Sequence, residues 1–115
     1  MICTFYDHSR LPMADGHRFR PAAFTCAAPP DFRMGDVLDV WATRGGRRVH
    51  VRLTVTDRGR LGRGHLDLAP APFRALAGRG WRKAGVVRQV HCRLIGHCRL
   101  IGHRRLLRQG RGGRR

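Results

Sequence analysis

The feature that most constrains the fold is the alternation of apolar and polar residues along residues 49–59, VHVRLTVTDRG. A period of two places one set of side chains on each face of a β-strand. The apolar set is Val49, Val51, Leu53 and Val55, and the polar set is His50, Arg52, Thr54 and Thr56. Asp57 continues the apolar parity, so we expect its carboxylate on the core side, where the strand enters the Arg58-Gly59 turn. A partly desolvated carboxylate suits a general acid, and an aspartate before a glycine turn is also typical of a turn cap.

Short β-forming stretches separated by turn residues surround this strand and predict an all-β domain. Residues 35–41 form the preceding strand, and the Arg44-Gly45-Gly46-Arg47 sequence is typical of a hairpin turn between the two. Residues 69–78 predict one short helix, with prolines near its start and a glycine at its end. Further predicted strands cover residues 3–6, 22–26, 65–68 and 85–92, and the last of these is expected to complete the sheet.

Length and charge limit the possible functions. The chain has 115 residues, which is enough for one small domain. Its formal net charge is +17, from 24 basic residues against seven acidic ones, all of them aspartates. Such a charge predicts attraction to polyanions, namely nucleic acid, anionic lipid or an acidic wall polymer. The sequence contains no run of about 18 apolar residues, so it predicts no transmembrane helix. Residues 1–7 lack the basic start and the apolar core of a secretory signal.

The C-terminal part is repetitive and strongly basic. Residues 91–108 repeat every six residues, as HCRLIG, HCRLIG and the diverged HRRLLR. We expect residues 93–115, with eight arginines, to form a flexible tail outside a barrel of residues 1–92. The His-Cys pairs at 91–92 and 97–98 lack the C-x₂₋₄-C spacing of a zinc site, so no metal and no cofactor is predicted. Three complete pairings are possible among the four cysteines of the chain, which are Cys3, Cys26, Cys92 and Cys98.

Five segments occur in an order that is typical of one family. Residues 3–6, CTFY, match an Ala-Ser-x-Tyr segment, and residues 13–19, MADGHRF, match Thr-Ala-Ser-Gly-x-x-Phe. Residues 23–27, AFTCA, match Ala-Leu-Thr-Ala-Ala. The most specific matches are VTDRG at 55–59 and LDLA at 66–69, where the family has Val-x-Asp-Arg-Gly and Ile-Asp-Leu-Ser. In this order the segments resemble the rare lipoprotein A-like (RlpA-like) double-psi β-barrel, the domain of septal-ring lytic transglycosylases.

The resemblance covers about residues 3–92 and implies an all-β fold, a six-stranded double-psi β-barrel with one short helix. It implies a catalytic acid at Asp57 and substrate contacts from Tyr6, Thr25 and Arg58. The implied partner is the glycan strand of peptidoglycan, bound by a monomer in the cell envelope or periplasm.

One family feature is missing from this chain. Members that cleave glycan usually carry a histidine just after the Thr-Ala-Ala segment, whereas residues 27–31 read AAPPD. Asp31 and His17 are the candidates to replace that histidine, although nothing in the sequence places either of them near Asp57.

Three functions follow as hypotheses. The first is non-hydrolytic cleavage of the β-1,4 bonds of peptidoglycan to 1,6-anhydro-muramyl ends, with the substrate's own hydroxyl as nucleophile and Asp57 as acid and then base. The second, favoured by the missing histidine, is glycan binding without cleavage. The third is polyanion or nucleic-acid binding through the arginine-rich tail, which lacks the interleaved aromatic residues of base-stacking proteins.

Overall fold

The computed structural model describes residues 1–7, 12–101 and 104–109. Within these residues the chain forms seven strands and two helices. The strands are β1 (Ile2–Phe5), β2 (Thr25–Ala28), β3 (Asp36–Arg44), β4 (Arg47–Arg58), β5 (His65–Leu68), β6 (His91–Ile101) and β7 (Arg104–Gln109). The helices are α1 (Pro70–Ala77) and α2 (Trp81–Ala84). The all-β class predicted from the alternation is confirmed. Of the two helices, α1 was predicted and α2 was not.

All seven strands belong to one curled sheet, in the order β1-β5-β2-β4-β3-β6-β7. Two of its neighbouring pairs, β1 with β5 and β2 with β4, are parallel. Each of these parallel pairs joins strands that are far apart in sequence, and β2 also pairs antiparallel with β5. The sheet order therefore brings β1, β2, β4 and β5 side by side, and these four strands carry the candidate site described below.

The β3–β4 hairpin gives the sheet its longest continuous register, as the alternation predicts. Its pairs run from Val37 opposite Thr54 to Arg44 opposite Arg47, around a turn at residues 45–46. The inward residues of this hairpin are fully or almost fully buried, and they are Leu38, Val40, Ala42, Val51, Leu53 and Val55. Burial of apolar surface at this scale is the main stabilising contribution to a domain of this size.

A β-bulge near the end of β4 changes the predicted alternation. Cys26 lies opposite Val55, but the next residue of β2, Ala27, lies opposite Asp57, so Thr56 has no partner in β2. An extra residue in one strand bends it and shifts the side-chain parity. The prediction that Thr56 faces outward is therefore wrong, since Thr56 is only 1% exposed. Asp57 is half-buried where β4 ends.

Helix α1 covers one side of the sheet and the start of the chain. The apolar side chains that it buries are Pro72, Phe73 and Leu76. The Phe73 ring lies 4.9 Å from the ring of Phe5, and Phe5 lies 5.0 Å from Trp81 of α2. These contacts hold β1 under the two helices.

Among the described residues, no helix is long and apolar enough to cross a membrane.

The last predicted strand has different bounds in the structure. Residues 85–90 make only an isolated bridge, between Val87 and Cys3, and β6 begins at His91. The positive φ angles of Gly85 and Gln89 interrupt the extended backbone before β6. β6 then pairs with β3 as far as His97, beyond the predicted boundary at residue 92. The independence of residues 93–115 from the barrel stays a prediction, and the flexibility expected at 102–103 and 110–115 lies outside the described residues.

Three cysteines are free thiols packed within the core: Cys3, Cys26 and Cys92. Burial, together with the negative charge of a neighbouring Cys92 thiolate, raises the pKa of Cys3 to about 12. Burial, and then the charge of Asp39, raises the pKa of Cys92 to about 11. The thiolate is the reactive form, so these thiols behave as small apolar side chains at neutral pH.

Candidate functional site

Asp57 is held at the end of β4 by three hydrogen-bond donors. Its Oδ1 accepts the backbone N–H groups of Ala14 and Arg58, each at 2.9 Å. Its Oδ2 accepts the hydroxyl of Tyr6 at 3.2 Å. The contact with the Arg58 amide is the turn cap that the sequence allowed. The same carboxylate also connects the loop at Ala14 with the residue that follows β1, so its orientation depends on three parts of the chain.

Tyr6 is the aromatic member of this site. Its ring stacks on Phe19 with the centroids 4.6 Å apart, and Met13 and Ala69 are buried in the same small cluster. Burial, followed by the negative charge of Asp57 and the hydrogen bond to it, raises the pKa of Tyr6 well above its ordinary value. Tyr6 therefore keeps its proton and remains the donor to Asp57.

A second carboxylate, Asp67, lies on the other side of β2. Ala27 of β2 pairs with Asp57 of β4 on one side and with Asp67 of β5 on the other. Residues directly opposite one another in a sheet point to the same face, and two strand spacings separate the outer pair by about 10 Å between Cα atoms. The side chain between them is small, and Ala27 is itself only 4% exposed. Asp67 lies within β5 and bonds across to β1.

Asp67 is tied to β1 through Thr4. The Thr4 hydroxyl donates to Asp67 Oδ1 at 2.8 Å and lies 2.7 Å from His65 Nε2. Since the Thr4 proton is used on Asp67, the geometry requires His65 to donate from Nε2 to Thr4. Burial raises the pKa of Asp67, and the Asp57 charge adds to this, while the Thr4 hydrogen bond and the charge of His65 oppose it.

Sequence reasoning missed Thr4, His65 and the role of Asp67. A signal was present, because Thr4 and Tyr6 are two residues apart in a β-forming stretch and so present their hydroxyls on one side. Their partners lie 63 and 51 positions later in the chain, and no local pattern connects them.

Thr25, predicted as a substrate contact, lies in a separate cavity of about 270 Å³. This cavity is lined by Met13, Asp15, His17, Arg18, Arg20, Ala23, Thr25 and Thr56. Tyr6 and Asp57 are not among the lining residues. The structure therefore brings Tyr6 together with Asp57 and places Thr25 in the neighbouring cavity.

Arg58 and the two candidate replacements for the missing histidine lie elsewhere. Arg58 Nη1 donates to the carbonyl oxygens of Ala28 and Pro29, at 3.3 and 2.9 Å, and so secures the end of β2. His17 Nδ1 lies 3.3 Å from Asp15 and faces the cavity. Asp31 is exposed. None of these three side chains is among the contacts described for Asp57. Arg58 contacts Asp57 only through its backbone N–H.

The histidines of the repeat also have separate neighbours. The His91 ring stacks on Trp41 at 5.5 Å between centroids, whereas His97 Nδ1 lies 3.2 Å from Asp36 Oδ1. Across residues 1–7, 12–101 and 104–109, no three histidine, cysteine or acidic side chains are grouped closely enough to hold a metal ion.

Comparison with known proteins supports the architecture. The Streptomyces papain inhibitor superposes on this chain with a TM-score of 0.61, at 23% sequence identity, over 80% of this chain and 88% of the inhibitor. The chain thus has a double-psi β-barrel-like fold. At this identity the likeness concerns the fold alone. No protein-family model matches the sequence, and no curated protein is significantly similar to it.

Proposed function

We propose that this barrel binds the glycan strands of peptidoglycan and cleaves their β-1,4 bonds as a lytic transglycosylase, with Asp57 as acid and base. The observation that carries the proposal is the pair Asp57 and Asp67, which share one face of the sheet on either side of Ala27. Each carboxylate accepts a hydrogen bond from a hydroxyl group near the start of the chain, Asp57 from Tyr6 and Asp67 from Thr4. The motifs that resemble the RlpA-like domain include these four residues.

The chemistry requires one carboxyl group that moves a proton in both directions. The protonated carboxyl donates its proton to the glycosidic oxygen, and the bond from that oxygen to the anomeric carbon breaks. The carboxylate then removes the proton from the sugar's own 6-hydroxyl, whose oxygen bonds to the anomeric carbon and forms the 1,6-anhydro ring. No water is consumed. In this proposal the scissile bond lies against Asp57, on the face of the sheet that Asp57 shares with Asp67.

Asp67 has the second role in this proposal. Burial, the main cause, raises the pKa of Asp67 above its ordinary value, so its carboxyl group holds a proton more tightly than an exposed aspartate does. Through Thr4 it is also linked to His65, which is the histidine nearest to the carboxylate pair in the described contacts. In this proposal Asp67 contacts the substrate beside Asp57, while Asp57 carries the proton transfer.

The test uses purified full-length protein with intact sacculi and with glycan strands freed of stem peptides. Soluble products are separated and examined by mass spectrometry for anhydro-muramyl ends. Asp57→Asn is expected to abolish their release, and Asp67→Asn is expected to lower it about tenfold or more. Asp31→Asn, at an exposed carboxylate outside the site, is the matched control and should release as much as the wild type.

Three results would change the proposal. Glycan binding by both wild type and Asp57→Asn without product would identify a binding module. Full cleavage by Asp57→Asn together with loss in Asp67→Asn would move the acid to Asp67. If the protein neither binds nor cleaves glycan, a glycan function is refuted. Papain activity measured with the same preparation would then show whether the protein inhibits papain, as the name of the structurally similar inhibitor states for that protein.

A further inference from the structure

The cavity beside the carboxylate pair contains a buried hydroxyl group without a partner. Thr25 is 5% exposed, and its Oγ1 makes no hydrogen bond to any residue that the structure describes. A buried hydroxyl left unsatisfied costs about 1–3 kcal/mol, so such groups normally face a ligand or ordered water. Thr25 lines the cavity of about 270 Å³, and its hydroxyl is thus available to a molecule that enters.

Thr56 supplies a second hydroxyl to the same cavity. This residue is the unpaired residue of the β4 bulge, and the bulge directs its side chain to the buried side. Its Oγ1 donates to the sulfur of Met13 at 3.3 Å. Because a thioether is a weak acceptor and the hydroxyl oxygen keeps its lone pairs, Thr56 can also accept a hydrogen bond from a ligand.

Two arginines provide the charge. Arg18 and Arg20 flank the buried Phe19, and both line the cavity from the exposed side. Among the described residues, neither has a carboxylate within ion-pair distance. The acid of the lining, Asp15, has a side chain 1% exposed and is engaged by the backbone N–H and the ring of His17. The unpaired charge that faces an incoming ligand is therefore positive.

We propose that this cavity binds a small hydroxylated carboxylate of the size of one sugar acid. The carboxylate pairs with Arg18 and Arg20, whose planar guanidinium groups suit bidentate contact with a carboxylate. The ligand's hydroxyl groups bond to Thr25 and Thr56, and Met13 and Ala23 supply apolar contact with its ring. The cavity shares Met13 with the Tyr6 cluster, but neither Tyr6 nor Asp57 lines it. The proposal goes beyond the proposed cleavage of glycan.

The experiment is a titration of the ¹⁵N-labelled full chain, followed by the amide signals of Arg18, Arg20, Thr25 and Thr56. The probes are methyl β-D-glucuronide, the neutral methyl β-D-glucoside and inorganic phosphate, at constant ionic strength. The glucuronide is expected to give saturable shifts at the cavity residues, with the glucoside and phosphate each about tenfold weaker or more.

Variants test the roles of the side chains. Arg18→Gln with Arg20→Gln should weaken glucuronide binding about tenfold or more, whereas Arg63→Gln with Arg74→Gln, which removes the same charge from exposed positions elsewhere, should leave it within about twofold. Thr25→Val keeps the shape and should weaken binding severalfold without loss of stability, because it removes an unsatisfied buried hydroxyl. Asp57→Asn should leave the glucuronide shifts unchanged, which separates this site from the proposed catalytic one.

Four outcomes would overturn the proposal. Absence of saturable shifts would mean that the cavity holds only solvent. Equal binding of the glucoside would remove the role of the carboxylate, and equal binding of phosphate would show a general anion site. Equal loss in the two double arginine variants would show that the protein's overall charge, and not this cavity, attracts the ligand.

Discussion

Asp57 and Asp67 lie directly opposite the same residue, Ala27, on the two strands that flank β2. Each is bound by a hydroxyl from the beginning of the chain, Asp57 by Tyr6 and Asp67 by Thr4. The first strand and the residue that follows it thus position both carboxylates, although β1 pairs only with β5 in the sheet. An arrangement that needs β1, β2, β4 and β5 together cannot form in a fragment that lacks one of them, so site formation and pairing of these strands are coupled.

The first prediction concerns the Tyr6–Asp57 hydrogen bond. Tyr6→Phe removes the hydroxyl that donates to Asp57 at 3.2 Å and keeps the ring that stacks on Phe19. We expect a loss of about 1.5–3 kcal/mol in the free energy of unfolding, because the acceptor is a charged group. Urea denaturation of Tyr6→Phe, Asp57→Ala and the double variant gives the coupling energy. A coupling near zero would mean that the two side chains do not interact in solution.

The second prediction concerns the pH dependence caused by Asp67. Its pKa in the folded protein lies above the ordinary value of 3.8, so the folded state binds this proton more tightly than the unfolded chain does. The stability contributed by the protonated form is complete below that value and is lost as the pH rises through the raised pKa. Asp67→Asn does not titrate, and its stability relative to wild type should increase over this window.

Urea denaturation at a series of pH values from about 3 to about 5.5, below the ordinary range of histidine, measures this effect. Asp31→Asn, at an exposed position, controls for the removal of one negative charge. If the stability of Asp67→Asn relative to wild type stays constant or falls with rising pH, the assignment of Asp67 as a buried carboxyl with a raised pKa is contradicted.

The hairpin and α1 were predictable from the sequence because their signals are local. The alternation at Val49 to Val55, the Gly45-Gly46 turn and the proline-started helix each lie within about ten residues. The bulge at Thr56 was not predictable, since it exists only in relation to β2. The partnership of Asp57 with Asp67 was missed for the same reason, because parallel and crossed strand pairs leave no periodic pattern in the chain.

The third prediction concerns binding of polyanions by the C-terminal arginines. We expect the full chain to bind a single-stranded oligonucleotide with an affinity that falls steeply with salt, because the contact is mainly electrostatic. A chain ending at Ile101 lacks six of the arginines of residues 93–115, and both its affinity and its salt slope should be lower. Fluorescence anisotropy between about 50 and 200 mM salt measures both quantities. Equal affinity of the two chains at the higher salt would place the contact on the barrel.

The last prediction uses Gly35 to test where the barrel ends. Gly35 has a φ of +91°, its N–H donates to the Val55 carbonyl at 2.8 Å, and its own carbonyl accepts the N–H of Cys98 at 2.6 Å. A Cβ added at Gly35 would overlap the carbonyl oxygen of Cys98. The close approach therefore lies beyond residue 92, in the segment that the sequence assigns to the tail.

Gly16 provides a matched control, because its φ is +89° and nothing lies within 4 Å of an added Cβ. Gly16→Ala should cost about 1–2 kcal/mol from backbone strain alone. Gly35→Ala should cost more in the full chain, because the strain is joined by the collision with β6. In a chain ending at His97, which we expect to fold with a melting temperature within a few degrees of the full chain, the Cys98 carbonyl is absent and the excess cost should shrink.

Equal costs for the two glycines in the full chain would mean that the segment around Cys98 is not docked, and would support a barrel that ends at residue 92. Loss of folding on truncation would show instead that the first repeats complete the core.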